Sequence, residues 1–314
     1  VDSAAVPATR ARSAEFVRRA EHVLFHRAPA DALPDLNAAA ADPSTEDGAR
    51  ALWLAGVALG ALGRYGEALE LLAPAGGPAI PADRFPHLRS LAASTAASMY
   101  RQLGRHAEAE ELDRRALRLA GQARDGGSTA EALFDARLGL AADAVGLHRT
   151  ADAARLLREA AAVVPAASWR HRVRLDWVTI EVALLEGDPA TAVATARRAV
   201  TTSETAQAPR HVAKSLLFLG ASLVGELRAT GGRADDAAGA LGRSVALSEG
   251  LGALPLLWVA RALLGALMRP TDPDGAATSL RAARAAVSGI AEGLSTADRE
   301  AWLARPDLAA LGIR

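Results

Sequence analysis

The chain has no cysteine in its 314 residues. That excludes disulfides, thiol nucleophiles and cysteine-based zinc sites. Aromatic residues make up only 4% of it, so a core must be assembled from Ala, Leu and Val. Thr, Ile and Tyr are sparse, which disfavours sheet. Neither sign of charge is in excess: 36 basic residues balance 36 acidic ones. Dedicated nucleic-acid and anionic-membrane binders carry a positive surplus, so neither partner is expected. Lysine is nearly missing, with Lys214 the only one. The longest apolar run, "ALWLAGVALGALG" at 51–63, falls short of the ~20 residues of a membrane-spanning helix. The opening "VDSAAVPATRARSAEF" contains no apolar signal core. These two absences predict a cytoplasmic protein.

What is present is alanine in a pattern. An Ala-x3-Leu-x2-Ala skeleton recurs with anchors at Ala32, Ala68, Ala109, Ala153, Ala192, Ala237 and Ala276, 36 to 45 residues apart. Leu36, Leu72, Leu157, Leu241 and Leu280 fill the leucine slot, whereas Asp113 and Ala196 break it. Gly63, Gly104, Gly187 and Gly232 each stand five residues before an anchor, and His148 holds that place before Ala153. Residues three and four apart share one helix face. The skeleton therefore marks an apolar stripe on a second helix. The preceding glycine marks the stop of a first helix, where a left-handed residue is required.

Seven antiparallel hairpins follow from this. First helices are predicted over 13–26, 49–62, 88–103, 131–146, 170–186, 210–229 and 255–268. Second helices are predicted over 30–41, 66–74, 107–121, 150–163, 189–203, 234–249 and 274–289. A last helix over 296–304 follows "GLST", with Ser295 or Thr296 as N-cap. Residues 1–12 are expected to be flexible and 290–314 to cap the C-terminal end. The Pro- and Gly-rich linkers are too short to divide the chain, so 1–314 is expected to be one all-α domain.

Three stretches carry a family likeness: "WLAGVALGALGRYGEALELLAPA" at 53–75, "AASMYRQLGRHAEAEELDRRAL" at 96–117 and "VALLEGDPATAVATARRAV" at 182–200. With them the chain resembles the tetratricopeptide repeat family, in the longer-period form found in bacterial regulatory and signalling proteins. The spacing here averages near 41, against about 34 for the family unit. The tail "AWLARPDLAALGI" at 301–313 is similar to the ends of helical-repeat regions in large bacterial transcription regulators and signalling ATPases. The resemblance implies a right-handed superhelical solenoid of about seven hairpins, with first helices lining a concave groove that holds a peptide or partner helix.

On that concave face, steps of three, four and three along the first helices place Arg50 and Trp53, then Ser94, Ser98 and Arg101, then Arg174, Trp177 and Glu181, then Trp258 and Arg261. Trp and Arg dominate binding hot spots. The face would offer guanidiniums to an acidic side chain or a C-terminal carboxylate. The family's chaperone-tail clamp is not expected, because Trp53 and Val57 stand where it needs Lys and Asn.

Catalytic chemistry is not expected. His22 and His26, four apart in "EHVLFH", lack the glutamate placement of a zinc protease and a third ligand. Lys214-Ser215 follows no glycine loop, and "RDGGST" at 124–129 reads as a turn. No metal or cofactor is predicted. The expected function is a non-catalytic scaffold for a protein or peptide. The alternative is an effector-sensing regulatory module acting through a separate partner. Pairing with a second copy stays open.

Overall fold

A computed structural model describes residues 5–73, 79–123, 127–164, 168–231 and 233–310. All regular structure among them is helical, in consecutive pairs. The hairpins are α1 (Ala5–His26) with α2 (Pro29–Ala39), α3 (Glu46–Leu62) with α4 (Tyr65–Leu72), and α5 (Pro86–Gln102) with α6 (His106–Ala120). They continue with α7 (Gly127–Gly146) and α8 (Thr150–Ala161), α9 (Trp169–Leu185) and α10 (Pro189–Thr205), α11 (Pro209–Thr230) and α12 (Ala234–Gly250), and α13 (Leu254–Met268) and α14 (Pro273–Glu292). Two short helices, α15 (Thr296–Leu303) and α16 (Pro306–Ala310), finish the described chain. Ser295 caps α15 by accepting the Asp298 amide. Helix α1 already begins within the segment expected to be flexible. Residues 1–4, 74–78, 124–126 and 165–167 and Gly232 lie outside the described residues, as do 311–314.

Five of the seven hairpin corners turn through a left-handed residue. After α3, Gly63 adopts φ +86°, its amide donates to Gly60 O and the Arg64 amide donates back to Leu59 O. Gly104 and Gly187 repeat this after α5 and α9. His148 does the same at φ 56° after α7, which settles the frame of the Ala153 copy. After α11 the left-handed residue is Gly231. All seven anchor alanines are buried.

Odd-numbered helices up to α13 pack directly on one another, and the even-numbered helices pack on them rather than on each other. The first helices therefore form an inner layer and the second helices an outer one. Among the outer helices, α6 and α8 have strongly one-sided apolar faces, whereas the inner α7 and α9 have almost none, as expected of helices covered on both sides. Glycines set the spacing within and between hairpins: Gly56 lies under Leu72, and Gly60 under Met99.

The array closes on itself. The end of α1 meets α11, where Phe25 packs edge-on against His211 at 6.0 Å. The end of α3 meets α13, and a Cβ at Gly63 would press on Ile290 and Pro255. Five hairpins thus make one turn, with the first under the sixth and the second under the seventh. The tail takes the next place. Arg105, at the corner after α5, pairs with Asp298 at 2.5 Å, and Arg305 donates to Gln102 O. Trp302, fully buried, packs edge-on against both Tyr65 and Trp258.

Candidate functional site

The inner layer carries the face expected from the sequence, and its members are mostly engaged. Trp53, Trp177 and Trp258 are 1%, 6% and 5% exposed. Trp53 Nε1 donates to Thr95 Oγ1 on the next inner helix at 3.0 Å. Trp177 Nε1 donates likewise to Ser215 Oγ at 3.0 Å. These two rings tie neighbouring hairpins together rather than flooring an open groove. The four arginines are held by internal carboxylates. Arg50 grips Glu21 through two bonds of 2.9 Å, Arg174 pairs with Asp135, and Arg261 pairs with Glu249. Arg50, Arg174 and Arg261 keep 27%, 25% and 24% of their side-chain surface exposed beside these pairings.

Many of these ties share a separation of 38 to 42 residues: Arg170 to Glu131, Arg149 to Glu110, Arg243 to Glu204, and both tryptophan bonds. They are rungs between equivalent positions of adjacent hairpins.

Arg101 sits in a buried triad. Its Nη1 reaches Asp113 at 2.5 Å and Asp143 at 2.9 Å, and both carboxylates are fully buried. Asp113 occupies a leucine slot of the skeleton, and Gly139 makes room for it, since a Cβ there would land on the carboxylate. Burial drives the Asp113 pKa up to about 7, against the pull of Arg101. Burial likewise raises Asp143. Ser94 is buried beside Asp113, while Ser98 keeps partial exposure.

Other charges of the inner layer lack such matches. Lys214 Nζ stands 4.3 Å from the Trp177 ring centre and 5.6 Å from that of Phe218. Burial lowers its pKa to about 8, with Glu181 opposing. Glu181 is raised by burial, with Lys214 and Arg101 opposing. Arg210, one helical turn before Lys214 on α11, is pushed down to about 10 by burial, and Tyr65 is the group that counters this. Buried atoms without a hydrogen-bond partner include Arg210 Nε, Tyr65 Oη, Trp258 Nε1 and His211 Nδ1. His211 is stacked on Trp177 at 5.4 Å and held neutral by burial and by the surrounding cations.

The face read from the sequence did not include α11, whose Arg210 and Lys214 lie four apart on one side. A usable signal existed: the chain's single lysine falls there. His22 and His26 stack at 4.5 Å, and the described residues hold no cluster of three metal-ligating side chains. Among them, no helix is long and apolar enough to cross a membrane.

The outer surface is polar. Leu147 is the only large apolar side chain exposed among the described residues. An open groove of about 670 Å3 between α2, α3 and α4 is rimmed by Arg64, Glu67 and Glu70. Another of about 470 Å3 runs along the arginines of α6.

No protein-family model and no curated protein matches the chain. Among solved structures, "Crystal structure of BtubC (BKLC) from P. vanneervenii" is similar over 77% of this chain and 90% of that chain, with 17% identity and a TM-score of 0.45. The likeness is too distant to bear on what this chain does.

Proposed function

We propose that the chain is a non-catalytic binding module whose ligand, a peptide or protein segment, lies along the inner layer of the turn. The observation that supports this most is the pair Lys214 and Glu181, partly buried charged groups of the inner layer without a close ion-pair partner among the described residues. Charges drawn away from bulk water are ordinarily paired. The polar outer surface offers no comparable apolar patch for docking. The resemblance to tetratricopeptide repeats points the same way, since such arrays bind extended segments on their inner helices.

A random-sequence peptide library screened against the full chain tests this. Selected peptides should bind Lys214→Glu and Glu181→Lys much more weakly, about tenfold for each lost charged hydrogen bond. Arg155→Ala, on outer helix α8, should bind them normally. Selected peptides that bind all three variants alike would refute the inner-layer assignment.

The closed turn favours a second role, sensing of an effector. Contacts of α1 and α3 with α11 and α13 give the array a seam that is either made or parted, and a ligand preferring one state shifts the balance. Small-angle scattering with and without a selected peptide distinguishes the roles: an unchanged radius of gyration favours the passive module, a changed one the sensor.

A further inference from the structure

The second and third hairpins carry grooves at equivalent places along their outer helices. Leu59, Arg64, Glu67, Glu70 and Leu71 help line the first. Tyr100, Arg105, Glu108, Glu111 and Leu112 line the second, at the same positions one repeat on. Beyond those positions the two differ. Helix α4 stops at Leu72, whereas α6 runs to Ala120, about two turns further past the equivalent point. The added turns bring Arg114, Arg115 and Arg118 to the second groove, whose volume is about 470 Å3. Four guanidiniums line it beside two carboxylates, where the first groove has one guanidinium beside two.

Part of this charge is already matched. Arg105 pairs with Glu108 at 2.9 Å and with Asp298 at 2.5 Å, and Arg114 pairs with Glu110 at 2.8 Å. Arg115 and Arg118 are exposed and make no hydrogen bond or ion pair among the described residues, and neither does Glu111. Glu108, Glu111, Leu112, Arg115 and Arg118 fall on one face of α6. The unpaired charges are therefore ordered, with a carboxylate nearer the start of the helix and two guanidiniums nearer its end. Leu112 and Tyr100 are partly buried and give the groove an apolar floor. The Arg105 guanidinium lies over the Tyr100 ring at 4.7 Å.

We infer that the groove along α6 docks an acidic segment of a partner protein, with Arg115 and Arg118 taking its carboxylates and its apolar side chains resting on Leu112 and Tyr100. Residues three apart rise about 4.5 Å along a helix, and each guanidinium can hold a carboxylate through two parallel hydrogen bonds. A nucleic acid is a poorer match. Its phosphates would run past Glu108 and Glu111, and base stacking needs a free aromatic face, whereas the Tyr100 ring already carries Arg105. A lone small anion would meet exposed guanidiniums in an open groove, where water competes for every bond. The surface belongs to the outer layer. It is separate from the inner-layer binding proposed above, and neither depends on the other.

Fluorescence anisotropy on the full chain tests it with labelled probes of equal length: a peptide of glutamate and leucine, the same peptide with lysine in place of glutamate, and oligothymidylate. The acidic peptide should bind saturably, the basic one should not bind, and added salt should weaken the complex. Arg115→Glu with Arg118→Glu should weaken it about a hundredfold, roughly tenfold for each lost charged hydrogen bond. Arg115→Gln with Arg118→Gln, which removes the donors of charge without adding repulsion, should also weaken it, by at least about tenfold. Arg158→Glu with Arg197→Glu makes the same change of net charge at exposed arginines of α8 and α10 and should leave binding within about twofold, because distant exposed charges are screened. All of these positions are exposed, so every variant should keep the wild-type thermal midpoint, which separates loss of docking from loss of fold. Three results would overturn the surface. One is no binding of the acidic peptide. Another is an α6 charge-reversed pair that binds no worse than the pair on α8 and α10. The third is oligothymidylate binding as tightly as the acidic peptide, which would reassign the groove to nucleic acid.

Discussion

Asp113 shows most directly how one side chain departs from its repeat and is accommodated. A leucine slot holds a carboxylate, and the fold answers with Arg101 from one inner helix, Asp143 from the next, and a glycine where a Cβ would collide. Two acids share one guanidinium, and burial keeps the Asp113 proton on to about pH 7. In the unfolded chain that proton leaves near 3.8, the ordinary value for an aspartate. The folded state therefore binds it more tightly, and the stabilisation this confers is full below the unfolded value and lost as pH rises through about 7. Wild-type stability should fall by roughly 1–3 kcal/mol between pH 5 and pH 8 from this group. Asp113→Asn, which mimics the protonated form, should flatten that slope. Urea midpoints at three pH values check it, and equal slopes in both proteins would refute it. The sequence pattern marked Asp113 as an exception. It did not reveal the two partners, because they lie on neighbouring helices at separations that a helix wheel does not display.

Helices are the level at which sequence and structure agree best. Apart from the start of α1, predicted and observed hairpins coincide to within a few residues, because five of the seven corners have a local cause: a left-handed residue ends the inner helix, and a small alanine begins the crossing. His148 taking the glycine's conformation shows that spacing, rather than residue type alone, carried the information. The tail was legible as a helix but not as a tie. Trp302 is fully buried and donates to Val287 O at 3.2 Å, while its ring packs on residues of the second and seventh hairpins. Trp302→Ala should cost about 3–5 kcal/mol, the usual range for removing a buried tryptophan. Hydrogen exchange should then quicken in α15, α16 and α4, with α8 and α9 unaffected. Uniform acceleration through the molecule would show that the tail is not a local tie. The pairing of Arg174 with Asp135 and of Arg170 with Glu131 was readable in principle. Opposite charges stand one repeat apart, but the concave face was read one helix at a time.

At the scale of the whole molecule the decisive quantity is rotation per hairpin, which no single residue encodes. Each inner helix is rotated substantially on the last, and the rotations of five hairpins add to a full circle. A smaller rotation at each step would open the turn into a wider superhelix with a concave groove, as expected from the sequence. Closure adds contacts across most of the chain length to the bonds with neighbouring hairpins that already engage Trp53 and Trp177. Arg105 and Asp298 pair across 193 positions. In an open array their substitutions would be independent. Here a double-mutant cycle with Arg105→Ala and Asp298→Ala should give a coupling of about 0.5–1 kcal/mol, and a value near zero would argue against the ring in solution. The seam also has a kinetic meaning. On the reading proposed above, a guest along the inner layer would be surrounded by the chain that binds it, and its entry and departure would be gated by the parting of the seam. Association should be slow and nearly independent of electrostatic steering. Bound partners should persist far longer than their equilibrium affinity alone would indicate, because the fold acts as its own latch.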